Sequence, residues 1–193
     1  MGCEGTLAEF GRCCADNLRS LPPLGLQDGP LRRQAKASLT HSPTHKFTIM
    51  ADHKGTAAWT GDIKGSGILT TESGALNAPY SVGSRFEGKQ GTNPEELIGA
   101  AHAGCYTMYL TSVLTKHGHS VQNIKTTSTV TMNPNNGHPV IEHIHVSTEG
   151  HVSGGNITAD DFQKHAEDAK ENCPVSKALS AVPKMTLETK FLG

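Results

Sequence analysis

Apolar and polar residues follow no period through residues 1–49, then fall into order from about Lys54. "GTAAWTGD" and "GSGILTTESG" are short β-like runs separated by Gly and Asp, which predicts a hairpin or meander. "LNAPYSVGSRFEGKQG" continues as strand and Gly-rich loop. The next stretch changes period. Asn93 or Thr92 can cap a helix, Pro94 suits its first position, Glu95 and Glu96 complement its positive end, and Gly118 is a C-terminal stop. Leu97, Ala101, Cys105, Met108 and Ser112 share one face of that helix, predicted to be the buried one. "NIKTTSTVTM" then alternates, with Ile124, Thr126, Ser128, Val130 and Met132 on one side. "NPNNGHP" is turn chemistry, and "VIEHIHVSTEG" predicts the returning strand. Thr158, with Asp161 three residues on, resembles a capping box opening another helix. "CPVSKALSAV" reads as a short helix and "KMTLETKF" as a closing strand. Strands and helices without strict βαβ alternation define an α+β fold.

Residues 1–49 are broken by Pro22, Pro23 and Pro30 and offer too little apolar surface to offset chain entropy. A poorly structured N-terminal extension is expected there, with the folded domain spanning 50–193. "MGCEGT" fits a myristoylation pattern beside Cys3, and the acid-free run from Gly29 to Ala51 fits a transit segment. The reading adopted is plainer: a dispensable extension, with Met50 opening the folded unit. Neither a secretory h-region nor an apolar run near the ~20 residues of a membrane span is present. Charge is balanced, 17 Lys+Arg against 18 Asp+Glu, so neither nucleic acid nor an anionic membrane is favoured as a partner. Five cysteines without CxxC pairs fit neither a disulfide scaffold nor a zinc ribbon and suggest a reducing, cytoplasmic setting.

Two of those cysteines lie in the patterned region. Cys105 is eleven residues into its helix, about 15 Å from the N-terminus, too far to be activated there. Apolar surroundings raise a thiol pKa, so this helix alone predicts a structural cysteine. Activation requires a cation from elsewhere. Cys173, in "ENCPVSKAL", stands at the start of the last helix, where peptide N–H groups favour thiolate. One buried thiol and one at a helix start are compatible with a redox pair.

"TNPEELIGAAHAGC", followed 68 residues later by "NCPVSKAL", resembles the osmotically inducible protein C / organic hydroperoxide resistance (OsmC/Ohr) family. "WTGDIKGSG" and "TESGALNAPYSVGSRFEG" are similar to its OsmC branch, and the likeness runs from about Lys54 to Phe191. The resemblance implies an OsmC-like fold, an intertwined homodimer with antiparallel sheets packed around central helices. It implies a thiol-dependent peroxidase acting on organic hydroperoxides in defence against oxidative or osmotic stress, with Cys105 peroxidatic and Cys173 resolving. Its arginine maps to Arg85 in "SRFEG" and its glutamate to Glu95 in "NPEEL". An external dithiol, by family precedent lipoyl, would reduce the disulfide, and neither cofactor nor metal is implied.

The chemistry agrees with these assignments. Arg85 supplies the cation Cys105 lacked, and Glu95 would hold the guanidinium by a two-pronged ion pair. Glu95 and Cys105 are ten residues apart, about 15 Å along a straight helix. Either Gly99 permits a kink, or the Arg85–Glu95 pair serves a partner subunit. His102, one turn before Cys105, is expected beside the site rather than in a nucleophilic Cys–His pair. His143 and His145 share a strand face, but no third ligand makes them a metal site. The competing reading is a non-catalytic ligand-binding or redox-sensing dimer.

Overall fold

The computed structural model describes residues 51–134 and 138–193. The expectations for the N-terminal extension, and part of the turn in "NPNNGHP", lie outside the described residues. The first strands are β1 (Gly55–Thr60), β2 (Ser66–Thr71) and β3 (Asn77–Tyr80), forming one antiparallel sheet in chain order. Gly67 stands in register with both Trp59 and Tyr80. A Cβ there would lie 2.4 Å from the Tyr80 ring, so only glycine lets this aromatic side chain lie across the strand. Every residue of β1 is exposed, and Ile68 on β2 is among the exposed large apolar side chains.

A short helix, α1 (Val82–Phe86), follows where the sequence suggested only strand and loop. Its signal is the Ser81–Ser84 pair: each side chain accepts from the other's backbone N–H, at 3.0 and 2.9 Å. Serine at the second position is a weaker cue than the usual Glu or Gln, so a five-residue helix was easily read as loop. The long helix α2 (Pro94–Lys116) begins as expected, with the Asn93 side chain accepting from Glu96 N–H at 2.8 Å. Gly118, at φ +83°, ends it.

The second sheet takes β4 (Ser120–Asn133), β5 (Val140–Ser153) and β6 (Lys184–Phe191) in that order. β4 and β5 are antiparallel, whereas β6 runs parallel to β5. The parallel pairing follows from the crossover: α3 (Ala159–Asn172) and α4 (Pro174–Ala178) return the chain to the end where β5 began. The Thr158–Asp161 capping box forms as expected. The core gathers Tyr106, Leu110 and Leu114 from α2, Ile144 and Val146 from β5, and Phe162 from α3.

The buried face of α2 is not the one its spacing suggested. Gly99, His102, Tyr106, Leu110, Val113 and Leu114 face inward, while Ala101 and Ser112 are exposed and Met108 is 75% exposed. The reason is that α2 is apolar on more than one side, so periodicity could not choose which side meets this chain's own sheet. α2 continues through Gly99 without a break in the helix. A Cβ at Gly99 would lie 2.7 Å from the Ser128 carbonyl oxygen, so glycine sets how closely α2 approaches β4. Gly99→Val is therefore expected to force helix and strand apart and cost about 1–3 kcal/mol, read as a lower denaturant midpoint.

Candidate functional site

Arg85 reaches its position because α1 is tied to the start of α2. The Ser84 hydroxyl donates to the Thr92 carbonyl at 2.8 Å, and Tyr80 and Thr92 form an isolated parallel bridge. Gly91 turns the chain between them at φ +134°. The result is the two-pronged pair the sequence suggested: Arg85 Nε donates to Glu95 Oε2 at 3.0 Å and a terminal guanidinium nitrogen to Oε1 at 2.5 Å. The same nitrogen lies 3.4 Å from Met132 Sδ, and the guanidinium stands 5.2 Å from the centre of the Phe86 ring. Side-chain exposure is 35% for Arg85 and 14% for Glu95, so the pair is half-sheltered yet reachable. The hydrogen bonds from Arg85 hold the Glu95 carboxyl below the usual carboxylate range, while Glu95 raises the pKa of Arg85. Both remain charged at neutral pH.

Two cavities flank this pair. One of about 380 Å³ is bordered by Trp59, Ile63, Tyr80, Val82, Phe86 and Pro94 together with Arg85 itself. The other, about 580 Å³, lies on the Glu95 side towards Val130 and Met132. Arg85 thus joins an apolar recess to a charged one.

The cysteines form a second centre. Cys173 is fully buried, ending α3 and opening α4. Cys105 is partly buried on α2 and packs against the buried cluster that contains Cys173. Both are free thiols. Burial pushes the Cys105 pKa up, the neighbouring Cys173 adds to this, and the backbone N–H of Val175 opposes it. That amide comes from the first turn of α4, a contribution the sequence did not reveal. Among the described residues, no cationic side chain is one of the groups shifting Cys105.

Cys105 is thus brought to Cys173, and Arg85 to Glu95, but a single chain leaves the two pairs apart. Ten residues of unbroken helix separate Glu95 from Cys105, about 15 Å at the ordinary rise. His102 lies beside the cysteines, with its ring nitrogens 2.9 Å from Ser128 Oγ and 2.9 Å from Ser176 Oγ. The role of Ser176 was not anticipated, although its place three residues after Cys173 was visible. His143 and His145 share the Thr186 hydroxyl at 2.7 and 2.8 Å. Among the described residues, no three His, Cys, Asp or Glu side chains are arranged to hold a metal. No helix among them is long and apolar enough to cross a membrane.

The comparisons with known proteins fit this architecture. Residues 86–188 match a protein family described as OsmC-like protein. The chain is 46% identical over 130 residues to the peroxiredoxin OsmC of Escherichia coli (strain K12), covering 66% of this chain and 90% of that protein. It is 28% identical over 113 residues to organic hydroperoxide resistance protein-like 1 of Staphylococcus epidermidis, covering 58% of this chain and 78% of that one. An OsmC-like protein of unknown function from Vibrio cholerae superposes with a TM-score of 0.60 at 17% identity, over 72% of this chain and 99% of the other. An organic hydroperoxide resistance protein OsmC from Legionella pneumophila gives 0.55 at 22%, over 73% and 99%. The solved structures show the same fold, and the family match spans more than half of the sequence. The chain belongs to the OsmC-like family.

Proposed function

We propose that this protein is a thiol peroxidase that reduces organic hydroperoxides to alcohols. The observation carrying this reading is the thiol pair: Cys105 on α2 packs against the buried cluster that contains Cys173, at the junction of α3 and α4. The names of its relatives in Escherichia coli and Staphylococcus epidermidis support the same chemistry. In the first step the Cys105 thiolate attacks the distal oxygen of ROOH. The O–O bond breaks, RO⁻ leaves to be protonated to ROH, and the sulfur becomes a sulfenic acid. The Cys173 thiol then attacks that sulfur, forming a disulfide and releasing water. A dithiol reductant returns both thiols by exchange, itself leaving as a disulfide.

Cys105 needs a cation for this, because burial holds its thiol protonated. The reading supplies it from a second copy of the chain, whose Arg85, steadied by Glu95, would meet Cys105 across a homodimer interface. Two features support a dimer. The exposed side of α2 carries Ala100, Ala101, Gly104 and Met108, small residues around one bare methionine. The first sheet leaves Ile68 and the neighbouring Ile63, 74% exposed, without cover in a single chain. Apolar surface of that extent is what an obligate interface removes from water. The recess beside Arg85 would receive the hydrocarbon part of the substrate.

The test is loss of an alkyl hydroperoxide, such as cumene hydroperoxide, with dihydrolipoamide as reductant. Catalytic consumption of the peroxide is expected; consumption no faster than dihydrolipoamide alone would end the reading. A companion expectation concerns pH. A nearby guanidinium favours thiolate, so removing it must move the thiol pKa upward. Iodoacetamide alkylation of Cys105 in Arg85→Gln should therefore reach its midpoint at higher pH than in wild type. An unchanged midpoint would remove Arg85 from the site.

A further inference from the structure

His102 takes no part in the proposed chemistry, yet it is the one fully buried histidine among the described residues. Both ring nitrogens are engaged, Nδ1 with Ser128 Oγ on β4 and Nε2 with Ser176 Oγ on α4, each at 2.9 Å. Burial disfavours a second proton on the ring. A neutral imidazole has one donor and one acceptor, so one serine hydroxyl donates to it and the other accepts.

The spacing is what gives this contact meaning. His102 precedes Cys105 by three residues on α2, and Ser176 follows Cys173 by three residues along α4. The two helices are therefore joined by two antiparallel rungs one turn apart, His102–Ser176 and Cys105–Cys173. Val175, whose backbone draws the Cys105 thiol pKa down, sits between them on the α4 side. α4 has only five residues, and no side-chain hydrogen bond caps its start. So short a helix has little stability of its own and keeps its place through tertiary contacts. Of its side chains, Ser176 is the buried polar one, and His102 is its partner.

We infer that His102 is a positioning residue: through Ser176 it holds the first turn of α4 against α2, so that Cys173 stays within bonding reach of Cys105. The cysteine rung changes during turnover, since the sulfurs draw in to about 2.05 Å in the disulfide and separate again on reduction. The His102–Ser176 rung contains no redox-active atom and can persist through both states. It keeps the effective concentration of Cys173 at Cys105 high, which favours ring closure over further oxidation of the sulfenic acid.

This inference rests on Cys105 and Cys173 being a redox couple, but its test requires no hydroperoxide reduction. The full-length protein is equilibrated with glutathione buffers to obtain the effective concentration of the two thiols. Closure is timed separately with diamide, which takes up the two electrons and two protons of the thiols and leaves as the hydrazine. Ser176→Ala and His102→Asn are each expected to lower the effective concentration about tenfold, raising the disulfide potential by about 30 mV, and to slow closure in proportion. Thr126→Val, which removes a hydroxyl pair with Thr148 elsewhere in the sheet, serves as the stability control. It should lower the melting temperature and leave both redox readouts at wild-type values. Ser176→Ala alone suffices if His102→Asn does not fold. Wild-type redox values in Ser176→Ala, an equal loss in Thr126→Val, or no Cys105–Cys173 disulfide in wild type would each overturn the inference. Failure of the peroxidase reading looks different: the disulfide equilibrium would be intact while cumene hydroperoxide went unconsumed.

Discussion

Cys105→Ser is expected to abolish hydroperoxide turnover, with a loss of about 10⁴-fold or more, the scale seen when the nucleophile of a covalent mechanism is removed. A serine hydroxyl at this place stays protonated at neutral pH, and oxygen cannot take the place of sulfur in passing through a sulfenic acid. Cys173→Ser should behave differently. The first peroxide still reacts at Cys105, giving one equivalent of alcohol, but the disulfide cannot close. Mass spectrometry should then find one added oxygen on Cys105 at low peroxide and two at high peroxide, against a disulfide in wild type. The buried position of Cys173 beside Cys105 is the reason. A binding protein using the same pocket would keep its ligand affinity in Cys105→Ser and show no burst of alcohol. Undiminished turnover in Cys105→Ser would end the proposed mechanism.

Mixing two inactive variants should restore activity. In a two-fold dimer whose sites each take Cys105 from one chain and Arg85 from the other, a Cys105→Ser chain paired with an Arg85→Gln chain has one intact site and one doubly altered site. Random exchange of equal amounts makes half of the dimers mixed, each with half of its sites intact, so about a quarter of wild-type activity is expected. Each variant alone should be nearly inactive. If Arg85 instead served its own chain's Cys105, every site in the mixture would carry one lesion and nothing would be restored. The complementation therefore reads out the separation imposed by the helix. Arg85 is bound to Glu95 at the start of α2, Cys105 lies about 15 Å further along, and α2 has no break between them.

The same helix shows how far sequence alone could go. Its start was legible because capping is local: Asn93, Pro94 and the two glutamates act within one turn of their own position. The other capping signal, Thr158 with Asp161, and the closing strand Lys184–Phe191 were legible for the same reason. The motif likeness carried the four candidate residues, and the fold set them in two pairs. What was not legible is which side of α2 faces inward. An apolar pattern on several sides has no preferred direction until a second element is placed against it, and Gly99 on Ser128 is that placement. The parallel course of β6 likewise follows from where α3 and α4 deliver the chain.

Sequence by itself determined the α+β class, the starts of α2, α3 and α4, and which residues of β4 share a face. All depend on interactions spanning a few residues. Tertiary structure decided the rest. It packed Cys105 against the cluster that holds Cys173, bound His102 to Ser128 and Ser176, and held Arg85 on Glu95 at the start of α2. These contacts join residues far apart in sequence. Their geometry follows from how α2 packs between β4 and α4, and no local pattern encodes that packing.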